Sequence, residues 1–115
     1  SGLWETRHAV ASQRQRVSIA KSKLAGTREL LALGIEKDWT DLRNAWDGFR
    51  VSEQAVEQAE ANVREVSDRY TAGMVPFSDL LEAQVLRQQA RDRRVDATVE
   101  YWLKRSAYLR AIVSA

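Results

Sequence analysis

The chain has 115 residues, of which 44% are hydrophobic and 30% charged, a balance that fits one folded domain and not a disordered segment. Its 18 basic and 16 acidic residues leave a net charge of +2, so nucleic acid is not an expected partner. The absence of cysteine excludes a disulfide framework and a thiolate metal site, and no apolar stretch is long enough to span a bilayer.

An apolar repeat with alternating steps of three and four residues predicts one long first helix. Thirteen of the 18 repeat positions from Val10 to Tyr70 are apolar or aromatic, which is typical of a coiled-coil seam. Four of the five polar exceptions lie in the first half of the seam, so the second half is expected to have the better-defined partner. The polar positions are Arg14, Lys21, Arg28, Asp38 and Ser52.

Three glycines lie inside this helix, and each costs about 0.5–1 kcal/mol relative to alanine. Because neither proline nor a cluster of polar turn residues accompanies Gly26, Gly34 or Gly48, we interpret them as close contacts or slight bends. Gly34 leaves an alternative open. A sharp break there would divide the chain into three helices of nearly equal length and produce a three-helix bundle.

The stretch RYTAGMVPFSDLLEAQ, residues 69–84, predicts a turn between two helices. Gly73 is suited to the left-handed conformation that ends a helix, and Pro76 stiffens the exit. Ser78 or Asp79 can cap the next helix. An acidic residue at this point is also favoured by the positive end of the helix dipole.

The turn is unusually apolar for the exposed end of a hairpin. Met74, Val75 and Phe77 fall within the four residues 74–77, next to the proline. An efficient turn does not need them, whereas a surface that binds another protein does. The pattern therefore favours a docking surface at this tip.

The second helix carries two apolar faces, one of them rich in alanine, and we expect it to pack on two sides and closely on the alanine side. The first face contains Leu81, Val85, Val95, Val99, Trp102, Leu109 and Val113. The second contains Leu80, Ala83, Ala90, Ala97, Tyr101, Tyr108 and Ala111.

The expected architecture is an all-α, long antiparallel helical hairpin, coiled-coil-like, that occupies residues 1–115 as one segment. Helix one is expected at about 3–71, the tip turn at about 72–77 and helix two at about 78–113. At 1.5 Å per residue the second helix reaches back only to about Ile35. Residues 3–34 therefore need another partner, and the abrupt ends of the sequence suggest an excised segment.

Nothing in the sequence predicts an enzyme. His8 is the only histidine and has no second ligand at metal-binding spacing, and no cofactor or phosphate-binding motif is present. The arginine-rich run at 87–94 is mixed with an acidic residue and contains no aromatic residue, which favours a solvated helix face over nucleic-acid binding. We expect no catalytic residues, metal or cofactor.

Residues 69–84, followed by alanines at heptad spacing and by YWLKRSAYLRA, resemble the outer membrane factor (TolC-like) family of bacterial efflux channels. The matching positions in order are Arg69, Tyr70, Gly73, Asp79, Leu80, Leu81, Glu82, Ala83 and Gln84. The resemblance implies a trimer with a β-barrel in the outer membrane and an α-helical tunnel across the periplasm. This chain is most similar to the helical pair of the C-terminal repeat, with the barrel strands outside it.

The resemblance also implies roles for single residues. Tyr70, Asp79 and Glu82 correspond to the periplasmic aperture, where the tyrosine helps to hold the closed state and the carboxylates form rings of like charge. The residues that would meet a periplasmic adaptor protein are Ala72, Gly73, Met74 and Val75. Val75 departs from members with a basic residue at this position, so the resemblance does not imply a salt link across the tip.

The function implied is a passive exit duct of a tripartite export pump, located in the bacterial outer membrane with this segment in the periplasm. Its partners would be two further copies of the protein, the adaptor and an inner-membrane pump that supplies the energy. The alternative from a different class is a coiled-coil or three-helix protein-interaction module without a channel role.

Overall fold

Residues 2–115, which the computed structural model describes, form two α-helices joined by a short turn. Helix α1 spans Gly2–Thr71 and helix α2 spans Phe77–Ser114. They pack on each other as an antiparallel hairpin, so the predicted all-α class and hairpin architecture are confirmed. The molecule measures 107 × 20 × 13 Å. An unbroken α1, at 1.5 Å per residue, accounts for essentially all of that length.

The apolar seam of α1 is covered by α2 along half of its length. Every repeat position from 35 to 66 is buried or half-buried. The most deeply buried are Val56 and Val63 of α1 and Ala83 and Ala90 of α2. Alanine has little side chain to hold the helices apart, so the two helices can pack closely along this row. Burying one valine contributes about 1.5–3 kcal/mol, and a row of them holds the hairpin together.

The covered seam has two polar residues, Asp38 and Ser52, and the second of them forms its hydrogen bond within its own helix. Ser52 is buried, and its hydroxyl donates a hydrogen bond of 2.6 Å to the carbonyl oxygen of Phe49. A buried hydroxyl with a partner costs little. The interruption therefore does not divide the contact between the helices.

Aromatic pairs show the register of the two helices. Trp39 contacts Tyr108 and Trp46 contacts Tyr101, each with ring centroids 5.3 Å apart. A step of seven residues along α1 thus matches a step of seven back along α2. One more step would pair Ala32 with a residue beyond the end of α2, so α2 has nothing left to cover the start of α1. We call residues 2–34 of α1 the overhang.

The glycines of α1 neither break the helix nor receive a close neighbour. The helix is continuous through Gly34, so the three-helix alternative is wrong. The interpretation as close contacts is also wrong for this chain, because a Cβ atom at Gly26, Gly34 or Gly48 would meet no other atom within 4 Å. Each glycine costs the helix about 1 kcal/mol at most, too little to stop a helix whose flanking residues favour it.

Candidate functional site at the hairpin tip

Helix α1 ends in a Schellman motif centred on Gly73, as the sequence predicts. Gly73 has φ +74°, its N–H donates to the carbonyl of Tyr70, and the N–H of Met74 donates to the carbonyl of Arg69, both at 2.9 Å. These are the two hydrogen bonds that define the motif. A residue with a Cβ atom would adopt this conformation at a cost of about 1–2 kcal/mol.

Helix α2 begins one residue earlier than expected and without a side-chain cap. The N-terminal capping position is Pro76, in extended conformation with φ −72° and ψ 160°, so the prediction that Ser78 or Asp79 caps the helix is wrong. The N–H of Asp79 donates to the Pro76 carbonyl at 3.1 Å. Proline suits this position because its ring holds φ near −65° and its missing N–H has no role before the first turn.

The turn leaves an apolar surface at the end of the rod. Met74 is 72% exposed and Phe77 56% exposed, while Val75 is half-buried. The ring of Tyr70, 41% exposed, lies 5.7 Å from that of Phe77 at a tilt of 59°. We call this surface the tip patch, and its members are Tyr70, Ala72, Gly73, Met74, Val75 and Phe77.

The two acidic residues predicted at the aperture lie together, apart from Tyr70. Asp79 and Glu82 are one turn apart on α2 and line a groove of about 260 Å³ together with Asn62 and Val66 of α1. Both carboxylates are exposed. Tyr70 lies instead against Phe77, at the end of the hairpin. The structure therefore forms one carboxylate pair beside the seam and one aromatic pair at the tip.

An aromatic cluster near the open end of the hairpin, opposite the turn, was missed as a unit by the sequence analysis. The tryptophan spacing on α1 and the tyrosine spacing on α2 are both seven residues, and this shared spacing was the available signal. The rings border an open cleft of about 340 Å³ with two arginines at its rim. Its lining residues are Trp39, Leu42, Arg43, Trp46, Tyr101, Arg105, Tyr108 and Leu109.

Ion pairs on the hairpin are few and lie at its surface, with their side chains partly open to solvent. Between the helices, Arg91 donates to a carboxylate oxygen of Glu60 at 3.2 Å. Within α1, the Lys37 ammonium donates to Asp41 at 2.7 Å. That hydrogen bond holds the pKa of Asp41 below its usual value, and it raises the pKa of Lys37. Such exposed pairs adjust stability slightly and do not create a reactive group.

The described part of the chain offers no geometry for metal chemistry. His8 stacks on Trp4 with ring centroids 5.4 Å apart. Within residues 2–115, no three His, Asp or Glu side chains gather as metal ligands would. Neither helix combines the length and the apolar composition needed to cross a membrane.

The chain has no match among protein-family models, curated proteins or solved structures. The likeness of residues 69–84 to the outer membrane factors therefore stands on the sequence motif alone.

Proposed function

We propose that this chain is an α-helical tunnel segment of a trimeric outer membrane efflux channel, with the tip patch as the surface that docks a periplasmic adaptor protein. The proposal rests on one observation, that the family-like motif at residues 69–84 forms the exposed end of the hairpin. The stretch that resembles the family is the turn itself, and its apolar side chains, Met74 and Phe77, stand exposed at the end of a rod 107 Å long. An exposed apolar surface so placed is typical of a site that binds another protein.

Two further surfaces support a place within a larger ring of helices. The overhang keeps an apolar row without a partner among residues 2–115, and α2 keeps its other apolar face exposed while the alanine face packs on α1. A helix in a closed ring has a neighbour on each side, which accounts for both faces. The exposed residues of that face are Leu81, Val85, Val95, Val99, Trp102, Leu109 and Val113.

The carboxylate pair supplies the aperture. In a trimer, Asp79 and Glu82 would each be present three times around a narrow opening, and rings of like charge favour cations and repel anions. Tyr70 and Phe77 would close the opening by contact between apolar surfaces, since Val75 stands where a basic residue would be needed for a salt link. Transport energy would come from the inner-membrane pump, so the chain itself would be passive.

The test is a graft. Residues 2–115 replace the corresponding hairpin of a trimeric outer membrane factor, in a strain whose drug resistance depends on that channel. We expect the graft to support resistance and to crosslink to the adaptor. A graft that reaches the outer membrane as a trimer, and yet neither exports drug nor binds the adaptor, would remove the proposal.

Matched variants locate the activity in the tip patch. Met74→Asp and Leu30→Asp introduce the same charge at side chains that are both 72% exposed, one in the tip patch and one in the overhang. Met74→Asp should return the strain towards the sensitivity of cells without a channel, and Leu30→Asp should not. A second pair of changes, Asp79→Asn with Glu82→Gln, should lower the cation selectivity of the grafted trimer in a planar bilayer.

The second candidate is a coiled-coil interaction module without a channel role. The unbroken α1 removes its three-helix form and leaves the two-helix form, which the long heptad repeat of the overhang favours. In that case the overhang would carry the function and the tip patch would be dispensable. Met74→Asp would then have no larger effect than Leu30→Asp.

A further inference from the structure

The overhang carries a seven-residue repeat in which each row has one chemistry. An aliphatic row lies along one line of the helix, and a basic row lies immediately beside it. Both continue the seam that packs on α2 further along α1. The aliphatic row is Leu3, Val10, Val17, Leu24 and Leu31. The basic row is Arg7, Arg14, Lys21 and Arg28.

The surface between the rows has the form of a coiled-coil partner site. One groove is lined by Val10, Arg14, Val17 and Lys21, with Gln13 and Ser18 at its sides. A second groove lies seven residues earlier and is lined by the residues at the equivalent positions, which are Leu3, Thr6, Arg7, Val10, Ala11 and Arg14. Depressions that repeat every seven residues receive the side chains of a partner helix. The four aliphatic side chains from Val10 to Leu31 remain 45–52% exposed, so nothing in the described chain occupies them.

Charge identifies the kind of helix that fits. The overhang has six basic residues and two acidic ones, Glu5 and Glu29, whereas the rest of the chain has 12 basic and 14 acidic residues. None of the basic-row side chains forms an ion pair within residues 2–115. Covering this row with an apolar or basic helix would desolvate four cations without compensation. An acidic row opposite them avoids that cost.

A second overhang is a poor occupant. Two parallel copies would bring basic rows face to face in successive layers, and two antiparallel copies would pack each basic layer on an aliphatic one. The exposed face of α2 from another copy fits little better. Its seven-residue repeat offers one acidic residue, Asp92, to the four cations of the basic row.

A lipid surface is also a poorer fit than a helix. Helices that lie in membrane interfaces present a broad apolar face. The overhang presents a single aliphatic row flanked by Gln13 and Ser18, and its remaining large apolar residues, such as Ile19 and Leu30, lie on other sides of the helix. A narrow stripe beside a row of single charges favours the seam of a second helix.

We propose that the overhang binds a helix of a partner protein whose seam has one aliphatic row and one acidic row, with Asp or Glu opposite Arg7, Arg14, Lys21 and Arg28. The inference does not depend on a channel role, since it follows from the two rows alone. Binding would combine burial of the aliphatic row with charge pairing, and the charge pairing would select the partner and its register.

The experiment uses the full 115-residue chain and two designed, fluorescein-labelled helical peptides matched in length to the overhang. Both peptides carry Leu opposite the aliphatic row, and they carry either Glu or Lys opposite the basic row. Fluorescence anisotropy at low and high salt measures their affinities. We expect the Glu peptide to bind about tenfold more tightly than the Lys peptide or better, and the difference to shrink as salt rises.

Charge reversal gives the specific control. The triple variant Arg14→Glu, Lys21→Glu, Arg28→Glu should invert the preference to the Lys peptide. The triple variant Arg43→Glu, Arg93→Glu, Arg110→Glu changes the net charge equally at exposed sites outside the overhang and should keep the preference for Glu. Circular dichroism of both variants verifies that the helices are retained.

Other results would overturn the proposal. Equal affinity for both peptides, no binding of the Glu peptide, or an unchanged preference after reversal of the overhang charges would each do so. If the unmodified chain self-associates and the triple variant of Arg14, Lys21 and Arg28 does not, the surface would be assigned to a second copy of the chain. Binding to phosphatidylserine vesicles, lost in the same variant while the peptides do not discriminate, would assign it to a lipid surface.

Discussion

The two halves of α1 follow the same repeat with opposite chemistry in its rows. In the half covered by α2, the row that continues the basic row becomes large and apolar, with Ile35, Leu42, Phe49, Val56, Val63 and Tyr70. The row that continues the aliphatic row becomes small or polar as far as Ala59 and ends in an aliphatic residue, with Asp38, Ala45, Ser52, Ala59 and Val66. The change occurs between residues 31 and 38, where α2 ends.

This difference shows that one continuous helix contains two separate partner specificities. The covered half needs a close, alanine-lined neighbour, and α2 supplies it through Ala83 and Ala90. The overhang needs a neighbour that offers both apolar and acidic side chains, and the alanine face of α2 carries no acidic residue. Length explains why the overhang is uncovered in this chain, whereas the row chemistry explains what could cover it.

The largest expected effect concerns the shape of the molecule. Spin labels at Glu5→Cys and Glu65→Cys, placed in a chain that has no other cysteine, should lie roughly 90 Å apart, because sixty residues of unbroken helix rise that far. Pulsed electron resonance measures the distance. A separation below about 30 Å in a monomer would contradict an unbroken helix. It would mean that the overhang folds back at Gly34 and that the two halves of α1 pack on each other.

The next effect separates the halves energetically. Val56→Asp buries a carboxylate at a site only 2% exposed, so we expect the free energy of unfolding to fall by about 3 kcal/mol or more. Val17→Asp makes the same change in the overhang, at 46% exposure, and should cost about 0.5 kcal/mol or less. Urea denaturation followed by circular dichroism compares them. Similar losses in the two variants would mean that the overhang already has a partner.

Much of the fold could be predicted because it depends on local spacing. The alternation of three and four residues predicted α1 from Val10 to Tyr70, and the length of the second helix placed the limit of the covered seam near Ile35. Gly73 predicted the end of α1, since few other residues adopt positive φ. All these features follow from periodicity and from the conformational preference of single residues.

Other features depend on contacts that a spacing rule does not contain. Whether Gly34 or Gly48 touches a neighbour depends on the distance to α2, and the start of α2 depends on how Pro76 leaves the turn. Tyr70 and Phe77 meet only because the turn brings two helix ends together. The functional roles of Asp79, Glu82 and the tip patch rest on a family resemblance, and they stay predictions.

A smaller effect tests the glycines in both halves. Gly34→Ala and Gly48→Ala should each raise the free energy of unfolding by about 0.5–1 kcal/mol, because a Cβ atom meets nothing at either site. Gly73→Ala should lower it by about 1 kcal/mol, because φ is +74° there. The same urea measurement applies. Destabilisation by Gly48→Ala alone would show that α2 approaches the covered half more closely in solution.

The smallest effect lies where the covered half begins, at the ion pair of Lys37 and Asp41. Because the lysine lowers the pKa of Asp41 below its ordinary value of 3.8, the pair stabilises the helix above that pH, and the contribution is lost as the pH falls through the lowered value. The raised pKa of Lys37 works in the opposite sense. Its contribution is present below the ordinary value of 10.5 and is lost as the pH rises through the raised one.

Titration of the Asp41 carboxyl carbon by NMR should show its pKa rising towards the ordinary value in Lys37→Met. Lys23→Met, which removes an equal charge from the overhang, should leave that pKa unchanged. If Lys23→Met shifted it equally, the overhang would act on the covered half through its overall charge, and the two halves would not be electrostatically independent.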